Sequence, residues 1–402
     1  MRRKISDEER RSRLGRRHAL ANECKVSTAR AVASAVVAIH GTDPSSTVLG
    51  ILARSRGLTI PDVEETIYTE RTLVRVLAMR RTLFAVDYII APSIWVAFDN
   101  TVARNQRRLL EKLVQESGVS TDPASWIRIA ENRLLEIIDA NPGRTGAQLA
   151  AEDELVAQRV KVGGSSIYAT EVSVASRLLT LLSAEGRVIR GRPVGSWTST
   201  QFTWSATEQW RDDWPKRPEH SADADLEIAA SWLEQFGPAL IDDFSWWTGW
   251  PKGRTRKAFA AAGAVQVELD AGEGWVLASD VEPTEAPEPW VALLPGLDST
   301  TMGWKQRGFY LGPHAARLFD DVGNAGPTVW VDGRIVGGWT QLDEGPVVYE
   351  LFEELGRDRH IELDREAARL TALLAEARLK PRARRWTESE RALRARHSKT
   401  VE

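Results

Sequence analysis

The strongest constraint on the fold is an order of predicted elements that begins near the amino terminus and recurs downstream. It consists of short helices followed by two apolar strands, which a basic turn at Arg80-Arg81 separates. Three helices followed by a β hairpin is the pattern of a winged helix, a variant of the helix-turn-helix motif. In the first copy the predicted helices cover residues 6–21, 27–39 and 60–68, and the predicted strands cover 73–79 and 82–86.

The same order returns in two further stretches of the chain. The second copy has predicted helices over 125–140, 145–151 and 171–184 and strands over 187–190 and 201–204. The third copy has predicted helices over 226–236, 238–248 and 255–262 and strands over 265–269 and 275–277. The repeat lies in the order of elements and not in the residues themselves. The chain is therefore predicted to contain three tandem winged-helix units, over 1–115, 116–215 and 216–285.

Beyond residue 285 the pattern changes to short β-rich runs with glycine turns. These runs cover 291–294, 328–331, 334–339 and 346–349, and Asp332-Gly333 is a hairpin signal between two of them. They predict a small β-barrel-like domain or a curved sheet over 286–350. A helix over 363–379 and a basic tail with Arg382, Arg384 and Arg385 form a last segment, 351–402. The predicted fold class is α+β.

Composition limits what kind of DNA-binding protein this can be. The chain has 402 residues, of which 43% are hydrophobic and 27% charged, and a net charge of -3. That charge argues against a protein that coats DNA by charge alone, so DNA binding must come from local basic patches. A single cysteine, Cys24, allows no disulfide framework and fits a reducing cytoplasm. No apolar run is long enough for a membrane span.

Two basic runs are candidates for DNA contact. The first has no acidic residue in it and surrounds the turn of the first predicted hairpin, where it can grip phosphates. It consists of Arg71, Arg75, Arg80 and Arg81. The second opens a helix of the third copy, and a helix N-terminus also favours phosphate. It consists of Lys252, Arg254, Arg256 and Lys257. The alternative for both runs is an exposed charged face without a ligand.

Aromatic residues and known motifs add little chemistry. Trp246, Trp247 and Trp250 could stack on an exposed base, but tryptophans at helical spacing are more often core residues. Phosphate-binding loops, dinucleotide-binding glycine patterns, nucleophile elbows and zinc-protease motifs are absent from the sequence. The histidines are scattered, so the sequence predicts neither a metal nor a cofactor.

Several segments resemble one family of enzymes. They are Val37-Ala-Ile-His-Gly-Thr-Asp-Pro, Leu73-Val-Arg-Val-Leu-Ala-Met-Arg-Arg-Thr-Leu-Phe, Leu294-Pro-Gly-Leu-Asp and Trp330-Val-Asp-Gly-Arg-Ile-Val-Gly-Gly-Trp. In this order they are similar to the AlkZ/YcaQ-like bacterial DNA glycosylases, over roughly residues 6–349. The resemblance implies three tandem winged helices with a small β-barrel. It also implies excision of alkylated bases, including N7-alkylpurines and some cross-links, by hydrolysis of the N-glycosidic bond.

The resemblance also indicates a catalytic segment, with one departure. His40 and Thr42 stand where the family has Gln-x-Gln or Gln-x-Asp. A histidine can orient water as a glutamine does, and it can also take a proton near neutral pH. Thr42 would be a second hydrogen-bond partner, and Asp43 would orient the imidazole or the water. The alternative is a packed histidine followed by an ordinary capped turn at Asp43-Pro44.

Together these patterns predict a DNA-binding protein that acts on double-stranded DNA, damaged DNA included, as a cytoplasmic monomer. With no lysine in the His40 segment to form a Schiff base, the predicted enzyme is a monofunctional DNA glycosylase. It would remove alkylated or bulky adducted bases and leave an abasic site. The alternative is a non-catalytic winged-helix DNA-binding protein or transcriptional regulator.

Overall fold

A computed structural model describes residues 2–163, 170–380 and 386–398. The basic tail residues Arg382, Arg384 and Arg385 lie outside the described residues. The helices are α1 (Asp7–Arg17), α2 (Ala29–Ala35), α3 (Pro44–Leu52), α4 (Ile60–Tyr68), α5 (Ala91–Phe98), α6 (Arg104–Glu116), α7 (Pro123–Ala140), α8 (Gly146–Ala150), α9 (Glu154–Ala157), α10 (Val174–Ala184), α11 (Thr207–Trp210), α12 (Ser221–Phe236), α13 (Ile241–Thr248), α14 (Lys252–Ala261), α15 (Gly308–Leu311), α16 (Ala315–Leu318), α17 (Arg357–Leu374) and α18 (Glu388–Ser398).

The strands alternate with these helices and are mostly short. They are β1 (Lys4–Ile5), β2 (Ile39–His40), β3 (Leu73–Leu77), β4 (Leu83–Asp87), β5 (Arg144–Thr145), β6 (Arg159–Val162), β7 (Thr170–Ser173), β8 (Val188–Pro193), β9 (Phe202–Ala206), β10 (Ala264–Leu269), β11 (Gly272–Leu277), β12 (Val291–Leu294), β13 (Thr328–Val331), β14 (Arg334–Gln341) and β15 (Val347–Leu351). The mixture of helices and mainly antiparallel strands agrees with the predicted class.

The chain divides into two compact units that do not follow its order in sequence. Unit 1 combines residues 1–66 with 226–402, and unit 2 comprises 67–225. The division into the five segments predicted above stays a prediction. No helix of the described residues is both long and apolar enough to cross a membrane.

Unit 2 is built around an apolar core between α6, α7 and α10. Helix α7 presents Ile127, Leu134 and Ile138 to this core at helical spacing, and all three are buried. Asp122 caps its first turn by accepting a hydrogen bond from the Ser125 amide. Two antiparallel hairpins, β3–β4 and β8–β9, form at the predicted places.

Unit 1 carries a hairpin and a separate sheet. Helices α12, α13 and α14 precede the antiparallel hairpin β10–β11, as predicted, and β1 adds to it in parallel. The four later strands form a sheet in the order β12-β13-β14-β15. Within the described residues this sheet is open, so the predicted barrel-like closure is wrong. Helix α17 packs against β12 and β15 and α18 against β14, so helices provide the burial that closure would have provided.

The segment around His40 differs most from the prediction. The predicted helix over 27–39 ends at Ala35, Val37 has a left-handed φ of 60°, and His40 lies in the short strand β2. Helix α3 follows at once and was not predicted. Each of its residues is buried, so it lacks the polar face by which an amphipathic helix is recognised in a sequence.

Candidate active site

His40 is held in place by hydroxyl groups that bind its backbone. His40 is only 8% exposed. The His40 amide donates to Ser299 Oγ at 3.1 Å, and the same hydroxyl donates to the Ala38 carbonyl at 2.8 Å. On the other side, Thr47 Oγ1 donates to the His40 carbonyl at 3.0 Å. The main chain that carries the imidazole is therefore tied at both of its polar groups.

Asp43 caps helix α3. Its Oδ1 accepts from the Ser45 amide at 3.2 Å, and its Oδ2 accepts from Ser45 Oγ at 2.6 Å and Ser46 Oγ at 2.8 Å. Pro44 occupies the first turn, where its missing amide hydrogen costs nothing. These contacts match the capping alternative for Asp43. Thr42, just before it, is exposed.

A small cavity lies next to this cap in unit 1. It has a volume of about 30 Å³, and Asp43, Ser46, Gln341 and Glu390 are among its lining residues. A space of that size accommodates about one water molecule.

Behind Ser299 lies a buried ion pair that sequence reasoning missed. Arg54 Nη1 donates to Asp298 Oδ2 at 2.8 Å, and Arg54 Nη2 donates to Asp298 Oδ1 at 2.7 Å. Arg54 also donates to Thr300 Oγ1 at 2.7 Å and to the Gly50 carbonyl at 2.8 Å. Asp298 Oδ1 further accepts from the Thr300 amide at 2.8 Å. A charge pair with this number of partners compensates much of the cost of its burial.

Thr300 connects the ion pair to His18, the buried residue that follows the end of α1. Thr300 Oγ1 lies 2.7 Å from His18 Nδ1. The His18 ring lies against Phe236 at 4.5 Å and stacks on Trp304 at 5.6 Å between ring centroids. Burial, reinforced by the charge of Arg54, holds the pKa of His18 well below its usual value. His18 is therefore a neutral packing residue at neutral pH.

The first predicted basic run divides into buried and exposed members. Arg75 is 3% exposed and lies over the Phe202 ring, and its guanidinium donates to the carbonyls of Arg190 and Gly191. Burial lowers the pKa of Arg75. Arg71 is half-buried and donates to the Trp210 carbonyl at 2.8 Å. The Arg75 guanidinium is therefore shielded from solvent, and the Arg71 guanidinium is engaged by a carbonyl of unit 2.

Arg80 and Arg81 form the exposed part of that run. Both have a left-handed φ, 51° and 61°, at the turn between β3 and β4. Such values are uncommon for residues other than glycine. With the Gln106 amide oriented to face it, Arg81 Nε donates to the Gln106 oxygen at 2.9 Å. The turn thus places two adjacent guanidinium groups at the surface of unit 2.

The second basic run lies on α14 of unit 1. Lys252 pairs with Asp242 at 2.5 Å, and Arg254 lies 3.9 Å from the Trp250 ring centroid. Arg256 and Lys257 are exposed. Lys252 and Arg254 thus contact side chains of their own unit, and Arg256 and Lys257 are the exposed cations of α14.

The three tryptophans near α13 are mainly structural. Trp247 and Trp250 are 4% and 3% exposed and pack on Phe244. Trp246 is half-buried, with the Arg307 guanidinium 4.9 Å from its ring centroid. The core interpretation therefore describes Trp247 and Trp250.

Similarity to known proteins covers most of the chain. The profile of the AlkZ-like family, described as DNA glycosylase AlkZ-like, matches residues 33–373. An interstrand DNA cross-link repair glycosylase of Streptomyces sahachiroi is 26% identical over 288 residues, which cover 69% of this chain and 72% of that protein. The solved structure of Streptomyces sahachiroi DNA glycosylase AlkZ has a TM-score of 0.72 at 22% identity, covering 94% of this chain and 98% of that chain. The structural likeness shows a shared fold.

Proposed function

The chain belongs to the AlkZ-like DNA glycosylase family, and from that premise we propose its substrate class and mechanism. The family resemblance predicted from its sequence segments is confirmed, and with it the enzyme class, a DNA glycosylase of DNA repair. We propose that it hydrolyses the N-glycosidic bond of N7-alkylated purines and of bulkier adducts. The observation that carries this proposal is the family match over 33–373, which includes the His40 segment.

The chemistry of the substrate suits a site with a histidine in place of glutamine. An N7-alkylated purine is cationic, so it leaves the sugar as a neutral base without a proton from a strong acid. The enzyme has to position a water molecule and stabilise the positive charge that develops on the sugar, mainly by geometry and electrostatics. A histidine meets the first requirement and can also accept a proton near neutral pH.

The proposed step is a displacement at C1′ of the deoxyribose. The bond between C1′ and the purine nitrogen breaks, and its electron pair neutralises the cationic base. A water oxygen bonds to C1′, and one of its protons passes to a ring nitrogen of His40 and then to solvent. Thr42, exposed two residues further on, would be the second hydrogen-bond partner of that water. Asp43 then acts through the conformation of the segment, as the cap of α3.

DNA binding would use the exposed members of the two basic runs. We place phosphate contacts at Arg80 and Arg81 on the β3–β4 turn and at Arg256 and Lys257 on α14. Helices followed by the hairpins β3–β4, β8–β9 and β10–β11 support three winged-helix units in tandem. Arg75 is left out because it is buried, and Arg71 because it is half-buried and bound to a carbonyl, whereas Arg81 is exposed although its guanidinium also binds Gln106. We propose that the enzyme acts on duplex DNA as a monomer.

The lesion class extends to bulky adducts because of the relative from Streptomyces sahachiroi. That protein is named for the repair of interstrand DNA cross-links. Its identity to this chain, 26%, leaves room for a different lesion preference. An N7-alkylpurine is the common chemical element of the proposed substrates, and the size of the alkyl group is what a comparison of substrates would determine.

The test is base release from duplex DNA that carries one N7-methylguanine, under single-turnover conditions. Wild type is expected to release the base. His40→Ala should lower the rate at least 100-fold, which is on the order of what a general base contributes. His220→Ala changes an exposed histidine and should match wild type. His40→Gln restores the residue type of the family and should retain activity. Tight DNA binding without release from methylated or bulky adducts would favour a non-catalytic DNA-binding protein instead.

A further inference from the structure

We propose that Ser299 is a positioning residue for the glycosylase reaction, and that Thr47 has the same role from the other side. Neither hydroxyl is assigned to touch the substrate. Each would act by fixing the main chain of His40, so this inference rests on the proposed function. The observations that carry it are the hydrogen bonds of the two hydroxyls and the buried ion pair that connects them.

The two hydroxyls hold His40 at its opposite polar groups. Ser299 Oγ accepts from the His40 amide at 3.1 Å and Thr47 Oγ1 donates to its carbonyl at 3.0 Å. Because Ser299 also donates to the Ala38 carbonyl at 2.8 Å, one hydroxyl spans the residues on both sides of Ile39. Ser299 is 9% exposed and Thr47 3%, so water has little access to replace either hydrogen bond.

The position of Ser299 is set by its neighbours in the chain. Asp298 and Thr300 both bind Arg54, through the bidentate carboxylate and through Thr300 Oγ1. Asp298 also binds the Thr300 amide, which closes a tight turn around Ser299. The residues on either side of Ser299 are therefore immobilised by one guanidinium.

That guanidinium belongs to the same helical segment as Thr47. Arg54 lies in the turn after α3, one residue beyond the cap residue Ala53, and its Nη1 also binds the Gly50 carbonyl within the helix. Hydrogen bonds and chain connections thus form a closed ring of contacts that begins and ends at His40. It runs from the His40 amide through Ser299, Asp298, Arg54, helix α3 and Thr47 to the His40 carbonyl. All of these residues lie in unit 1. Loss of either hydroxyl removes one of the hydrogen bonds that hold the His40 main chain, without removing a group that would contact DNA.

Displacement of a catalytic group by about 1 Å can reduce a rate by roughly 100-fold. A positioning role therefore predicts a loss in the chemical step and not in DNA affinity. For Ser299→Ala we expect a 10- to 100-fold lower single-turnover rate at saturating enzyme, with Kd for the same duplex within twofold of wild type. Ser299→Thr keeps a hydroxyl and is expected to recover most of the rate.

The matched control is Ser389→Ala. Ser389 is 1% exposed and belongs to unit 1, and its hydroxyl donates to Glu350 Oε1 at 2.7 Å, so its removal tests the effect of a lost buried hydrogen bond alone. We expect this variant to keep the wild-type rate. If Ser299→Ala does not fold, Thr47→Val carries the same test. Its control is the buried Thr248→Val, because the Thr248 hydroxyl likewise donates to a backbone carbonyl, that of Phe244.

A second readout does not depend on activity. With histidine labelled at Cε1, the His40 resonance is identified by its loss in His40→Gln. It should shift or broaden in Ser299→Ala and stay in place in Ser389→Ala. An active wild type with an equally active, spectrally unchanged Ser299→Ala would overturn the positioning role alone. An inactive wild type on methylated and bulky substrates would overturn the proposed function, and the positioning role with it.

Discussion

Arg54 and Asp298 form a bidentate ion pair across 244 positions of sequence, with each side chain only 2% exposed. Removing one partner of a buried pair leaves an uncompensated charge, which costs about 3–5 kcal/mol. We therefore expect Asp298→Ala to lower the free energy of unfolding by about that amount. Urea unfolding measures the change.

The double variant Arg54→Met/Asp298→Leu separates the charge from the packing. Because it removes both charges and replaces them with apolar side chains of similar size, it is expected to lose clearly less than Asp298→Ala. Equal losses in the two variants would mean that the stranded charge of Arg54 is not the cause.

His18 should make the stability of the protein depend on pH. Its pKa is well below the usual value in the folded state, so the unfolded chain takes up the proton more readily. The contribution of neutral His18 to the free energy of unfolding is then fully present above the unfolded pKa of about 6.5 and is lost as the pH falls below it. The expected slope is up to about 1.4 kcal/mol per pH unit. Urea unfolding at pH 7.5, 6 and 5 measures it.

The control for this slope is a comparison of two histidine variants. His18→Gln should flatten the difference between pH 6 and pH 5, whereas His220→Gln changes an exposed residue and should keep it. A wild-type slope that survives in His18→Gln would assign the effect to other groups.

Variants of Asp43 distinguish a role as helix cap from a role in catalysis. Its carboxylate accepts hydrogen bonds from Ser45 and Ser46 at the start of α3. Asp43→Ala removes the cap and should cost about 1 kcal/mol of unfolding free energy. Asp43→Asn keeps an acceptor oxygen and should retain both stability and base release. A stable Asp43→Asn variant with a rate reduced 10-fold or more would return Asp43 to the chemical step.

The exposed basic residues should determine the salt dependence of DNA binding. Each phosphate contact contributes about 0.9 to the slope of log affinity against log salt on duplex DNA. Arg256→Gln and Lys257→Gln are each expected to lower the magnitude of that slope by about this amount. Fluorescence anisotropy with an undamaged duplex measures this slope. The salt concentration is varied between about 50 and 200 mM, where such slopes are linear.

Two further variants frame that measurement. Lys112→Gln removes an exposed lysine that pairs with Glu116 on α6 and should leave the slope unchanged. Arg75→Met removes a buried guanidinium and should lower the stability of unit 2 without changing the slope. A reduced slope in Arg75→Met would return Arg75 to the DNA surface.

Local patterns predicted those elements that show one face to water and one to the interior. The helix over 60–68 was found where expected because its buried residues, Val63 and Ile67, recur at helical spacing. The strands beside Arg80-Arg81 are buried almost throughout, and they were found as short apolar runs on either side of a basic turn. Helix α3, which begins shortly after His40, was not predicted, because a wholly buried helix has no periodic polar face. Arg71, Arg75, Arg80 and Arg81 read as one basic run, although Arg75 points into the core.

By itself the sequence determined the three hairpins that follow helices, the family and the segment that carries His40, because each of these is a property of neighbouring residues. Only the tertiary structure decided which side chains hold that segment. Asp298 could be seen in Leu294-Pro-Gly-Leu-Asp, but nothing in that run of letters indicates Arg54 as its partner. Side chains distant in sequence come within hydrogen-bond distance only once the core of unit 1 has formed around them, and Ser299 acquires its place beside His40 at that point.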